Sequence, residues 1–115
     1  MTTYHERSNK IMDDYVYLVY RVTKSFPKDE MFGVVSQLRR ASLSVVLNYI
    51  EGFARRSGKD CKTYKNFMRI SYGSLKESRY LIHFSLREDY LPKDDFHKLD
   101  NLNNEIGAML YKIIN

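Results

Sequence analysis

Residues 26–55 decide the fold of this chain and read FPKDEMFGVVSQLRRASLSVVLNYIEGFAR. Read as one helix at 100° per residue, the stretch carries a polar row within a narrow arc, formed by Gln37, Arg40, Ser44, Asn48, Glu51 and Arg55. Apolar residues flank the row, with Val45 and Tyr49 on one side and Leu47 and Ile50 on the other. A helix with two apolar faces is buried on more than one side, so the stretch predicts a helical domain that self-associates.

The remaining apolar residues repeat at spacings of three and four and predict three further helices. The first extends from about Asn9 to Ser25, the third from about Lys59 to Glu88, and Asp94 or Asp95 caps the fourth. Short connections between them predict an all-α protein, an antiparallel up-down-up-down four-helix bundle. The second and third helices are predicted to be the longest, so that a basic tip around residues 55–62 overhangs the bundle.

Length and composition fit one domain over residues 1–115, with residues 1–8 expected to be flexible. No segment approaches the ~20 apolar residues that span a bilayer, and the start of the chain lacks the pattern of a signal peptide. A cytoplasmic protein without membrane contact is therefore expected. Cys61 is the only cysteine, which excludes an internal disulfide and a thiolate-rich zinc site.

The formal charge of +5 is unevenly distributed. Residues 55–79 contain only two acidic residues, Asp60 and Glu77. The same segment contains eight basic residues, Arg55, Arg56, Lys59, Lys62, Lys65, Arg69, Lys76 and Arg79. With Tyr72, Tyr80 and His83 alongside, this group has the composition of a nucleic-acid surface, with cations for phosphates and rings for bases. The alternative is a solvated lysine-rich helix face that binds nothing.

The polar row also admits two interpretations. The favoured one is a hydrogen-bonding network at a contact between subunits, formed by Gln37, Arg40, Ser44, Asn48, Glu51 and Glu77, in which Arg40 pairs with Glu51 or Glu77. The other is a ligand site. Gly73, on the basic side of the third helix, costs helix stability, which suggests that a neighbouring subunit or a ligand backbone approaches there, unless the glycine is simply tolerated.

Catalysis is not expected. The three histidines are scattered, and Asp94 with His97 supplies one carboxylate and one histidine where a di-iron bundle needs several of each. No glycine-rich phosphate loop is present, and no pair of carboxylates lies in apolar surroundings. The sequence predicts neither a cofactor nor a metal.

One ordered series of residues resembles a known family: Phe26-Pro27 with Glu30, Gln37-Leu38-Arg39-Arg40-Ala41, Ser44, Asn48, Glu51-Gly52, Arg55, and Gly73-Ser74-Leu75 with Glu77. The chain is similar over nearly its whole length to the small four-helix-bundle proteins encoded in intervening sequences of bacterial large-subunit ribosomal RNA genes. The resemblance implies a left-handed bundle that assembles into a ring, with a homopentamer as the expected form. It implies no catalytic activity.

Related bundles include the accessory protein of diversity-generating retroelements, a basic pentamer that binds nucleic acid and a reverse transcriptase. This chain departs from the family pattern at Val46, where proline is usual, and at Tyr49-Ile50, where isoleucine and alanine are usual. The expected function is a non-enzymatic oligomer that binds nucleic acid through its basic face, with RNA favoured by the family's genomic setting. The alternative is an oligomeric scaffold that binds another protein.

Overall fold

The computed structural model describes residues 3–56 and 61–115, and within these ranges the protein is all-α, with no strand. Four helices form the domain: α1 (Tyr4–Thr23), α2 (Ser36–Ala54), α3 (Cys61–Arg87) and α4 (Lys93–Ile114). The prediction of four helices is confirmed. In these two ranges, no helix combines the length and the apolar character that crossing a membrane requires.

The helices pack around one apolar core, as in a bundle. The closest packing joins α2 to α3, and α3 to α4, α1 to α4 and α1 to α2 follow. Completely buried side chains come from every helix and include Met12, Val19, Leu38, Val45, Met68, Leu75, Ile82, Leu99, Ile106 and Leu110. At Gly52 the backbones of α2 and α3 come so close that a Cβ would lie 2.9 Å from the side chains of Phe67 and Met68.

Helix α1 begins at Tyr4, five residues before the predicted start, so residues 4–8 are helical where a flexible segment was expected. Thr3 caps the helix because its hydroxyl oxygen accepts a hydrogen bond from the Glu6 amide at 3.0 Å. The first turn is held by packing as well. His5 stacks on the Phe53 ring with 3.6 Å between centroids, and Ser8 is buried.

The prediction of one continuous helix over residues 27–55 is wrong. A 3-10 turn at Lys28–Glu30 and a π-helical turn at Met31–Val35 precede α2, and the backbone leaves helical geometry at Gly33. Helix α2 therefore has 19 residues and is about 28 Å long, whereas α3 has 27 and is about 40 Å long. The interruption leaves the Phe32 side chain 94% exposed.

The predicted overhang is also wrong for α2. Because α1 extends back to Tyr4, His5 covers Phe53 in the last turn of α2, and that end does not project beyond its neighbour. Residues 57–60 of the predicted tip, Lys59 among them, lie outside the described residues.

Helix α4 begins at Lys93 after Pro92, and neither Asp94 nor Asp95 caps it. The capping prediction is wrong by about two residues, since both carboxylates lie in the first helical turn. Their negative charges there interact favourably with the positive end of the helix dipole, but neither side chain accepts a capping hydrogen bond.

Candidate functional site

A row of four basic side chains follows the outer face of α3, and we call Lys62, Lys65, Arg69 and Lys76 the basic row. At 100° per residue these positions lie within about 60° of arc and extend over about 21 Å of the helix. Residues 61–76 contain no aspartate or glutamate, so no carboxylate of α3 interrupts the row. The result is a straight, one-signed face.

Neighbouring side chains hold several of the predicted cations in place. The Lys76 ammonium lies over the Tyr72 ring at 5.0 Å from its centroid, and Arg69 donates to the Asn66 side-chain oxygen at 3.0 Å. These contacts orient the cations without pairing them with an opposite charge. Among the described residues, no ion pair joins the basic row to a carboxylate.

Arg55 and Arg56 extend the positive charge to the end of α2, in different ways. Arg55 forms an ion pair with Glu51 at 2.6 Å and lies over the Phe67 ring at 5.3 Å. Arg56 lies over the Phe53 ring at 5.2 Å. Of the two, Arg56 is the stronger candidate for a phosphate contact, since the charge of Arg55 is already balanced.

Arg79 does not belong to the basic row. It turns toward α4, where its Nε lies 3.7 Å from Asp100 Oδ1, within ion-pair range but too far for a hydrogen bond. His83 Nε2 approaches the same oxygen at 3.3 Å, and its ring meets Phe96 edge-on. Arg79 and His83 thus serve the contact between α3 and α4, whereas the sequence had suggested a nucleic-acid surface for both.

The predicted polar row connects α2 with α3 inside one chain. Arg40 forms an ion pair with Glu77 at 2.5 Å, which is one of the two predicted pairings. The hydroxyls of Ser44 and Ser74 lie 2.7 Å apart. Asn48 donates to the Ser44 carbonyl at 2.8 Å. Most of the row is therefore satisfied without a second subunit, although Arg40 and Glu77 remain partly exposed.

Next to the polar row, the outward side of α2 is apolar, and we call Leu43, Leu47 and Ile50 the apolar α2 face. Leu47 is 60% exposed and Ile50 is 51% exposed. The face adjoins a groove of about 340 Å³ between α1 and α2, lined by Asp13, Val16, Tyr17, Tyr20, Leu43, Val46 and Leu47. Because Leu43, Leu47 and Ile50 are spaced by three and four residues, they are neighbours on the helix surface and form a candidate protein contact surface.

Gly73 lies on the exposed side of α3, as predicted, and apart from its own turn of helix no atom of the described residues lies within 4 Å of the position where its Cβ would be. No neighbour in this part of the chain requires glycine at this position. The expectation that a subunit or a ligand backbone approaches there stays a prediction.

Sequence reasoning missed a buried polar cluster at the centre of the bundle. Asn103 donates to the Tyr15 hydroxyl at 2.9 Å, Tyr15 lies 2.7 Å from the Ser78 hydroxyl, and Ser78 donates to the Leu75 carbonyl at 2.7 Å. Because Ser78 gives its only proton to Leu75, Tyr15 is the donor in the bond to Ser78. The signal in the sequence was Asn103, a polar residue among the inward positions of the fourth helix.

Burial of this cluster raises the pKa of Tyr15 to about 12, even though the hydrogen bonds from its neighbours act in the opposite direction. The hydroxyl is thus firmly protonated at neutral pH. The cluster has no opening to solvent, since Tyr15, Ser78 and Asn103 are all buried, and its geometry is that of a structural network. Among residues 3–56 and 61–115, no three His, Cys, Asp or Glu side chains are grouped as a metal site requires.

Comparisons with known proteins give a family and a fold. The family model described as 23S rRNA-intervening sequence protein matches residues 9–112. A solved structure of a protein of unknown function from the S23 ribosomal protein family of Bacteroides thetaiotaomicron superimposes with a TM-score of 0.80 at 17% identity, over 94% of this chain and 98% of that one. No curated protein matches the chain.

Proposed function

The chain belongs to the 23S rRNA-intervening sequence protein family, and we propose that it is a non-enzymatic, oligomeric four-helix-bundle protein that binds nucleic acid through the basic row. The observation that carries the proposal is the uninterrupted row of cations on α3, where no carboxylate occurs between Lys62 and Lys76. Phosphate contacts of this kind supply affinity without sequence specificity. RNA is favoured because of the genomic setting that the family name gives.

Oligomerisation is the second part of the proposal. We expect a homopentameric ring in which the apolar α2 face is covered by another copy of the chain, with the polar row at its edge. Support comes from Leu47 and Ile50, which are apolar, adjacent and more than half exposed. A ring would repeat the basic row several times, so that weak contacts from each protomer add up through avidity.

The arrangement of each protomer and its location complete the proposal. We expect the helices to run up-down-up-down with a left-handed twist, in a cytoplasmic protein that needs no cofactor. Contacts between opposite ends of α1 and α2 support an antiparallel pair, because His5 meets Phe53 while Arg39 donates to Thr23 at 2.9 Å.

A charge-matched pair of variants tests nucleic-acid binding. Lys62→Glu/Lys65→Glu/Arg69→Glu reverses three charges of the basic row, and Lys93→Glu/Lys98→Glu/Lys112→Glu reverses three exposed charges on α4. Fluorescence anisotropy with a labelled RNA hairpin at about 50 mM salt should show binding by the wild type and the α4 variant and a loss of at least ~10-fold in the α3 variant. Equal losses in both variants would contradict a specific role for the basic row.

Light scattering after size exclusion tests the assembly. Leu47→Ser/Ile50→Ser should reduce the molar mass of the oligomer, whereas Tyr111→Ser on α4, where the side chain is 60% exposed, should not. The alternative function, a scaffold for a protein partner, is favoured by the same apolar α2 face. It would gain support if the wild type and the Leu47→Ser/Ile50→Ser variant were both monomeric and neither bound RNA.

A further inference from the structure

We infer that the nucleic acid held by the basic row is double-helical, RNA or DNA, and that this protein contacts its phosphate backbone without stacking on bases. The inference rests on the proposed function and specifies its ligand. It derives from the aromatic side chains around the cations, because other side chains of the protein lie over most of their rings.

The rings near the basic row are already covered by the protein's own side chains. Lys76 lies over Tyr72, which packs against the hydrophobic core, and Arg55 lies over Phe67. Phe53 is covered by Arg56 at 5.2 Å and by His5, which stacks on it at 3.6 Å. A base that stacks on the covered face of any of these rings would have to displace a side chain of the protein itself.

Single-stranded nucleic acids are bound by a different combination of groups. Their sites join cations to aromatic platforms, and each stacked base contributes roughly 1–3 kcal/mol. Tyr80 is the one ring on this side of α3 that is 70% exposed and has no ring or cation contact among the described residues. Tyr80 can stack only one base, and His83 is engaged with Asp100 and Phe96 of α4, so single strands lack most of their usual anchors here.

A duplex suits the geometry of the basic row better. The row is carried by one helix, is therefore straight and rigid, and its length of about 21 Å corresponds to about six base pairs along the axis of a duplex at 3.4 Å each. A double helix presents about twice the phosphate density of an isolated strand along its axis and holds it in a regular array. Recognition of duplex RNA by shape and backbone needs no exposed aromatic ring.

The experiment compares a 20-base-pair RNA duplex, the DNA duplex of the same sequence, and each separated strand, as labelled probes for the full chain at about 50 mM salt. Both duplexes should bind at least ~10-fold more tightly than the strands, with the RNA to DNA ratio showing which helical form fits better. Four cations predict a slope of about −3.6 for each bound protomer when log affinity is plotted against log salt. Tyr80→Leu should leave duplex affinity within about twofold of the wild type.

Several results would overturn the inference. If the single strands bind as tightly as the duplexes, or if Tyr80→Leu weakens binding more than about fivefold, the inference is wrong, while nucleic-acid binding itself stands. If no probe binds at micromolar protein, the proposed function fails and the inference fails with it. The α3 charge-reversal variant should lose affinity for every probe that the wild type binds.

Discussion

Two clusters of polar side chains join the helices of this protein, and they lie at opposite depths. Tyr15, Ser78 and Asn103 connect α1, α3 and α4 in the centre of the bundle, where all three are buried. The polar row joins α2 to α3 at the surface, where Arg40 and Glu77 keep 59% and 43% of their side-chain exposure. The first cluster has to be satisfied because it is out of reach of water, whereas the second would be solvated if its bonds were broken.

The difference indicates where each cluster matters. Loss of a buried partner leaves a donor or acceptor without water, which costs roughly 1–3 kcal/mol, whereas an exposed ion pair contributes at most about 1 kcal/mol. The deep cluster therefore contributes to the stability of the protomer. The surface row contributes little to that stability, and its role in a contact between subunits stays a prediction.

The largest effect is expected from Asn103→Ala. The substitution removes the donor to Tyr15 and Leu75 and leaves a small cavity, so the free energy of unfolding should fall by about 2–4 kcal/mol in urea titrations. Asn104→Ala is the matched control, because Asn104 is the exposed neighbour on the same helix and should change stability by less than about 0.5 kcal/mol. Similar losses in the two variants would show that the deep cluster is not a stabilising network.

The second effect is a dependence of stability on alkaline pH. The pKa of Tyr15 is raised to about 12 in the folded protein, above its value of 10.0 in the unfolded chain, so the folded state holds the proton more tightly between these values. The contribution of Tyr15 is complete below pH 10 and is lost as the pH rises to 12, at about 1.4 kcal/mol for each pH unit.

Urea unfolding at pH 9 and pH 11 measures this loss. Burial also raises the pKa values of Tyr49 and Tyr64, so part of the decrease at pH 11 will come from them. Tyr15→Phe isolates the contribution of Tyr15 to the free energy of unfolding. This variant should be less stable than the wild type at pH 9, and its free energy of unfolding should fall by less between pH 9 and pH 11. An identical decrease in both proteins would show that Tyr15 does not titrate differently in the folded state.

The smallest effect on unfolding is expected from Arg40→Ala. Its ion pair with Glu77 is exposed, so the free energy of unfolding of the protomer should change by less than about 1 kcal/mol. Lys10→Ala breaks another exposed pair, with Asp14 at 3.3 Å on α1, and should match it in stability. If the polar row borders a subunit contact, only Arg40→Ala will lower the molar mass in light scattering. An unchanged mass would confine the row to the α2–α3 contact of one chain.

The sequence predicted the helices well and several of their ends poorly. Periodicity identified all four helices because apolar spacing of three and four is a local property of the chain. The start of α1 was missed because Tyr4 and His5 are held by Met109 and Phe53, which are distant in sequence. The interruption at Gly33 was missed because the apolar pattern of residues 31–35 continues through it.

The residue types alone predicted only part of the candidate site. Positive charge on α3 could be read from composition, but the direction in which each cation points could not. Arg79 and Arg69 are both arginines of α3, yet Arg79 faces Asp100 across the α3–α4 contact and Arg69 faces outward beside Asn66. The rotation of a helix about its axis in the bundle, which decides this, depends on how the whole core packs.

Gly52 and Gly73 separate the two kinds of information most clearly. The sequence by itself determined the all-α class, the four helices and the excess of positive charge on α3, because these follow from composition and local periodicity. The exposed position of Gly73 was predicted from the sequence, whereas only the tertiary structure decided that Gly52 lies where α2 meets α3. The same holds for the exposure of the apolar α2 face and for the burial of Tyr15 with Asn103, since contacts between distant residues arise only when the helices pack together.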